Sequence, residues 1–216
     1  MKVFSFGDSW AAGAELRPGQ KTFSQLIAEE LNVEHTTFSK EGFSLGQIMF
    51  SIFQNHESLT KDDIVLVIVP PDTRWYNMNT QTAPEMYSIM GGMIEWFEFA
   101  KDKPLDWFIL HHNLFIYTIQ TILSKKGCKF LLAHNYGRLE ILPQFKSLID
   151  TDLFLSDKSL TYSLVNSDWD NYNKLKEDCP PNEYFTGPYF LGNKTHPNQY
   201  GHQQIAKLLM EKLNVK

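Results

Sequence analysis

Cysteine is nearly absent: the chain of 216 residues holds two, Cys128 and Cys179. Two are too few for a disulfide scaffold, and they lack the spacing of metal ligands. Each reads as a small buried side chain, and the scarcity favours a reducing compartment. Positive charge is the minority sign, with 20 Lys and Arg against 25 Asp and Glu for a net −5, and the basic residues are scattered rather than striped. Binding to a phosphate backbone needs a concentrated basic footprint, so no nucleic-acid partner is expected. Long apolar runs are missing too. The most apolar stretch, Trp107 to Leu123, is interrupted by His111, His112, Asn113 and Gln120, and it falls short of the ~20 apolar residues of a membrane span. It reads as a buried or amphipathic helix, and no membrane span is expected. Met1 to Phe6 shows none of the basic stretch, apolar core and small-residue cleavage site of a secretory signal. A phosphate-cradling loop is also lacking, because Gly7 and Gly13 satisfy neither common fingerprint. His111 and His112 are adjacent, the wrong spacing for two ligands on one helical face, and His134 stands without a carboxylate or thiolate set. No metal and no cofactor are expected.

What is present is an ordinary globular balance, 43% hydrophobic and 21% charged residues, in a length that one α/β domain commonly fills. One domain over residues 1–216 is predicted. Lys2 to Phe6 is a β-branched and aromatic run ending at Gly7, a strand feeding a turn. Gln20 to Leu31 places Phe23, Leu26, Ile27 and Leu31 at helical spacing. Val33 to Phe38 reads as a second strand, and Leu45 to Phe53 as a helix with Ile48, Ile52 and Phe53 on one side. Asp63 to Val69 is almost continuously aliphatic, the mark of a central parallel strand buried on both faces. Helices are predicted at about Pro84 to Ala100 and over Leu105 to Lys126, with a buried strand at Cys128 to Ala133. A short element lies around Leu153 to Leu155 within an irregular stretch, Phe145 to Phe190, and a closing helix runs over Asn198 to Leu213. Alternating strands and helices predict a three-layer α/β/α sandwich: a doubly wound, mostly parallel, five-stranded sheet with its site at the carboxyl ends of the strands. Gly7, Gly42, Pro70 to Trp75 and His134-Asn135 all follow predicted strands and should share that rim.

Two distant segments carry chemistry. Gly7-Asp8-Ser9-Trp10 sets a serine at a strand-to-helix junction, where its hydroxyl is exposed and its N–H is free to donate. Read alone, Ser9 serves equally as a helix N-cap. Near the other end stands Thr195-His196-Pro197-Asn198, followed by Gly201-His202 and an amphipathic helix. Alone, His196 is a polar neighbour of that helix. A serine hydroxyl attacks at neutral pH only when a hydrogen-bonded base takes its proton, and the two segments together offer that pair.

The combination of Gly-Asp-Ser after the first strand with His-Pro-Asn-x-x-Gly-His before the last helix resembles the first and last blocks of the SGNH (GDSL-type) esterases and lipases. The resemblance implies a flavodoxin-like SGNH fold, Ser9 as nucleophile and His196 as general base, with His202 packing. Ser39 to Ser44 is similar to the family's second block, which implies that the Gly42 N–H joins that of Ser9 in an oxyanion hole. Two departures stand out. The family's Gly-x-Asn-Asp at the end of the central strand is replaced by Val69-Pro70-Pro71-Asp72-Thr73-Arg74-Trp75. Proline has no N–H, so Asp8, Thr73, Arg74 or Asn135 is left as substrate-binding group or substitute donor. The family's Asp three residues before the histidine is Asn193, which can orient an imidazole but brings no charge. The Arg-Trp pair after the strand is similar to a phage and marine-bacterial subgroup, which implies a cytoplasmic or virion-associated location. The expected activity is hydrolysis of a small-molecule or glycan carboxylester, with sugar acetates as a candidate substrate. The alternative is a weakened domain that binds a glycan or serves as a virion or structural interaction module. Oligomeric state leaves no trace in the sequence.

Overall fold

A computed structural model of the chain describes residues 1–14, 16–71, 74–77, 85–88, 103, 105–136, 140–166 and 196–215. Four parallel strands form the main sheet in the order β2-β1-β3-β6: β1 (Lys2–Phe6), β2 (Glu34–Thr37), β3 (Ile64–Val69) and β6 (Lys129–His134). The chain moves from β1 outward to β2, then crosses back to β3 on the other side of β1. The order therefore reverses between β1 and β3, the switch point at which open α/β sheets leave a crevice.

Alternate residues of each strand face opposite layers, as the two-residue period of a strand requires. Val3, Ile64, Leu66, Ile68, Leu131 and Ala133 pack against one layer. That layer contains α1 (Ser9–Ala12), α2 (Phe23–Glu30), α5 (Leu160–Asn166) and α6 (Gln199–Leu213). Phe4, Phe6, Val65, Val67, Val69, Phe130 and Leu132 face the other, which holds α3 (Leu45–Asn55) and α4 (Leu105–Lys126). Every residue of β3 is buried, as its aliphatic run requires. Local chemistry fixes where helices begin. Thr22 with Gln25, and Ser44 with Gln47, form capping boxes, and Asn198 accepts the Gly201 N–H at 3.0 Å.

Among the described residues the main sheet has four strands, not the expected five. The fifth position, beside β6, is reduced to a single bridge between Leu132 and Phe154, with the Leu155 N–H donating to the Leu132 carbonyl at 2.8 Å. The short element expected at Leu153 to Leu155 is thus in place. A 3-10 turn over Thr151–Leu153 precedes it, too tight to continue a ladder. The helix expected over Pro84 to Ala100 is also corrected. Glu85–Ser88 is a strand, β5, paired antiparallel with β4 (Arg74–Asn77), Trp75 opposite Tyr87 and Tyr76 opposite Met86. Aromatic residues favour such a cross-strand setting, and a four-residue run is too short to show a helical period. Residues 89–100 lie outside those described. In α3, Ile48 and Ile52 are buried but Phe53 is 57% exposed, stacking instead on His56.

Candidate active site

The carboxyl ends of β1, β3 and β6 lie on one rim because the strands are parallel and in register. Gly7 follows β1, where the chain turns so sharply that a Cβ there would lie 2.6 Å from Ala11 Cβ and 2.9 Å from Ile68 Cβ. Only glycine allows α1 to start this close over β3. Asp8 caps α1 and Ser9 is its first residue, so the Ser9 N–H is among those a helix leaves without an intrahelical acceptor. At the other end of the chain, the loop before α6 brings His196 to the same place. His196 Nε2 lies 2.9 Å from Ser9 Oγ across 187 positions of sequence. Ser9 is buried to 8% exposure and His196 is half-buried.

The supports on either side are extensive. His202, fully buried one turn into α6, takes the Phe23 N–H on Nδ1 at 3.2 Å and stacks on the Phe23 ring. Burial, with the neighbouring His196 as a lesser cause, pushes its pKa down to about 3. It is therefore a neutral imidazole that caps α2. Gln199 donates to the Lys21 carbonyl and accepts the Lys21 N–H at 2.7 Å. Together these contacts fasten the start of α6, next to His196, to the segment that follows α1.

Asp8 and Asn135 are wholly buried and meet each other: Asn135 Nδ2 donates to Asp8 Oδ2 at 2.7 Å, and Asp8 Oδ1 accepts the Trp10 N–H at 3.1 Å. Asp8 is thus tied to the turn that carries Ser9, and Asn135 directs its amide to Asp8. Gly42 occupies the turn after β2 at φ +79°, a conformation suited to glycine. The Lys40 N–H just before it bonds the Gly7 carbonyl at 3.2 Å, so this loop lies against the end of β1. Arg74 opens β4, beyond the end of β3. Thr73 and Asn193 lie outside the described residues. Sequence reasoning missed Tyr136, whose hydroxyl accepts the Trp10 indole N–H at 2.8 Å, and Thr161, whose hydroxyl donates to the Asn135 carbonyl at 2.6 Å. Neither carries a local signal.

Behind the rim, His112 donates from Nε2 to the Pro70 carbonyl at 3.1 Å, and His134 stacks on Phe154. Burial, and then His112, lowers the pKa of His134 to about 3. Among the described residues no group of three His, Cys, Asp or Glu could hold a metal ion, and no helix is long and apolar enough to cross a membrane. Cys128 is buried, and its thiol is pushed up to about 11 by that burial; Cys179 lies outside the described residues.

No protein-family model matches the sequence, and no curated protein matches it. Solved structures do. A member of the lipolytic protein G-D-S-L family from Veillonella parvula is similar at a TM-score of 0.51 and 13% identity, over 98% of this chain and 97% of that one. TesA is similar at 0.52 and 11% identity, over 99% and 98%. A carbohydrate esterase whose active site displays divergent catalytic and non-catalytic binding functions is similar at 0.53 and 12% identity, over 100% of this chain and 68% of that one. At such identities the likeness is one of fold: this chain has the α/β architecture of those three proteins.

Proposed function

We propose that the chain is a serine-dependent carboxylester hydrolase of the SGNH (GDSL) type, with acetylated carbohydrates as its substrate class. The observation that carries this reading is the 2.9 Å approach of His196 Nε2 to Ser9 Oγ on the rim of a parallel sheet. In the first step Ser9 Oγ bonds to the ester carbonyl carbon while its proton passes to His196 Nε2. The carbonyl oxygen becomes an oxyanion, held by the backbone N–H groups of Ser9 and Gly42. Collapse breaks the bond to the alcohol, which leaves with the proton from His196. Water then attacks acyl-Ser9, giving its proton to His196, and the serine returns as the acid departs. Thr73 and Arg74, which come after β3 in the sequence, are the remaining candidates for a third oxyanion donor, because the amide of Asn135 is directed to Asp8.

The test is a fluorophosphonate probe together with turnover of p-nitrophenyl acetate, in wild type and in Ser9→Ala. Labelling and turnover in the wild type alone are expected. Labelling that survives Ser9→Ala, or a wild type that neither labels nor turns over, refutes the reading. A second reading, a weakened domain that binds glycans or acts as an interaction module, is favoured by Pro70 and Pro71, which follow the central strand and have no N–H to offer. It expects an unlabelled wild type that still binds acetylated oligosaccharide by calorimetry.

A further inference from the structure

We infer that Asn135 is a positioning residue for Ser9, acting as a strut that holds the nucleophile turn through the Asp8 carboxylate; the inference rests on Ser9 being the nucleophile. Asp8 follows β1 and Asn135 follows β6, and these strands are not neighbours, because β3 lies between them. Two strand spacings amount to about 9.6 Å, so the side chains can meet only by reaching toward each other over the end of β3. They do so at 2.7 Å with both residues fully buried, while the Asn135 N–H bonds the Val69 carbonyl of β3 at 3.2 Å.

The amide has one orientation available. Asn135 Oδ1 accepts the Tyr136 N–H at 2.8 Å, which leaves Nδ2 to face Asp8. The Asn135 carbonyl is held in turn by the Thr161 hydroxyl at 2.6 Å and N–H at 3.2 Å. On the other side of Ser9, the Trp10 indole is fastened to the Tyr136 hydroxyl at 2.8 Å. The residues before and after Ser9 are thus tied to the consecutive residues Asn135 and Tyr136. A charge-assisted bond to a buried carboxylate is among the stronger polar contacts, and leaving that carboxylate short of a donor is costly. The strut therefore sets where Oγ stands relative to His196 Nε2. An error of about 1 Å in such an alignment costs on the order of 10²-fold in rate.

The test exchanges the two side chains. In Asp8→Asn an amide faces an amide, and in Asn135→Asp a carboxylate faces a carboxylate. The double variant Asp8→Asn/Asn135→Asp lets the amide at position 8 donate to the carboxylate at position 135, and keeps acceptors for the Trp10 and Tyr136 N–H groups. Each single change is expected to lower kcat on p-nitrophenyl acetate by about 10²-fold with KM within about twofold, and the exchange to recover at least about tenfold. Single variants equal to wild type, or a double no better than the worse single, overturn the strut. Where a single variant does not fold, the double decides. Folded and active, it supports the strut; unfolded, or folded and inactive, it overturns it. A wild type without labelling or turnover refutes the hydrolase reading itself and takes the strut with it, whereas an active wild type matched by both single variants refutes the strut alone.

Discussion

His202 Nδ1 accepts the Phe23 N–H at 3.2 Å, 179 positions away, and so joins α6, the helix after His196, to α2. An imidazole can accept there only while neutral. Its pKa, like that of His134, is pushed by burial to about 3 from an ordinary 6.5. The unfolded chain takes up a proton at each of these residues below 6.5, whereas the native chain keeps both off until about 3. The stability they allow is therefore complete above 6.5 and is lost as pH falls toward 3. Each histidine contributes a slope on the order of 1 kcal/mol per pH unit in that window. Urea midpoints measured from pH 7 to pH 4 should fall, and His202→Gln, which retains an acceptor without a titration, should fall less steeply. Identical slopes in both proteins would contradict this account.

Gly7 permits the close turn that presents Ser9. In Gly7→Ala the new methyl meets Ala11 Cβ at 2.6 Å and Ile68 Cβ at 2.9 Å, both short of what real side chains tolerate and neither at the end of a flexible chain. A loss of about 1–3 kcal/mol is expected from overpacking, together with reduced turnover as α1 shifts. Gly7→Ala/Ala11→Gly removes the tighter clash and should regain part of the stability. A denaturant midpoint for Gly7→Ala equal to wild type would show that the turn has more room than these distances imply.

Asn193 stands where the resembled family has a carboxylate, and Asn193→Asp should raise kcat if His196 is the base. The reverse change in a trypsin-like triad costs ~10⁴, so even a partial gain of about tenfold is measurable with p-nitrophenyl acetate. Unchanged or reduced turnover would mean that the imidazole is oriented by other means.

The layers were legible because burial writes a period into sequence: β3 reads as buried on both faces from Ile64 to Val69, and α6 from its stripe of Ile205, Leu209 and neighbours. The meeting of Ser9 and His196 at 2.9 Å was legible because few residue types form a hydrogen-bonded hydroxyl and imidazole pair, and one of each stands in the two distant segments. Other features have no local signature. Asp8 and Asn135 are joined by one bond across 127 positions. Strand β5 is four residues of pairing, and the fifth sheet position is one bridge at Phe154. Asn113 and Gln120 looked like interruptions of an apolar helix, yet both are buried.

The reason those two amides are buried leads to a stability experiment. Asn113 Nδ2 donates to the Glu140 carbonyl and Oδ1 accepts the Leu142 N–H, both at 2.8 Å. Two turns along α4, Gln120 repeats the pairing, donating to the Asp150 carbonyl at 2.8 Å and accepting its N–H at 2.9 Å. A primary amide presents one donor and one acceptor side by side, as a strand backbone does. Each therefore clamps the loop after β6 to the helix, which seats Phe145 and Ile149 in the core beneath it. Asn113→Ala strands a buried N–H and a carbonyl, at about 1–3 kcal/mol for each group left unpaired. Asn113→Asp keeps the acceptor, loses the donor and sets a carboxylate against a carbonyl oxygen, so it should be no better than alanine at neutral pH and should recover in acid as the carboxyl protonates and becomes a donor. Urea unfolding of both variants at pH 7 and pH 5 reads this directly. An Asn113→Asp protein as stable as wild type at pH 7 would show that the Glu140 carbonyl does not depend on the clamp.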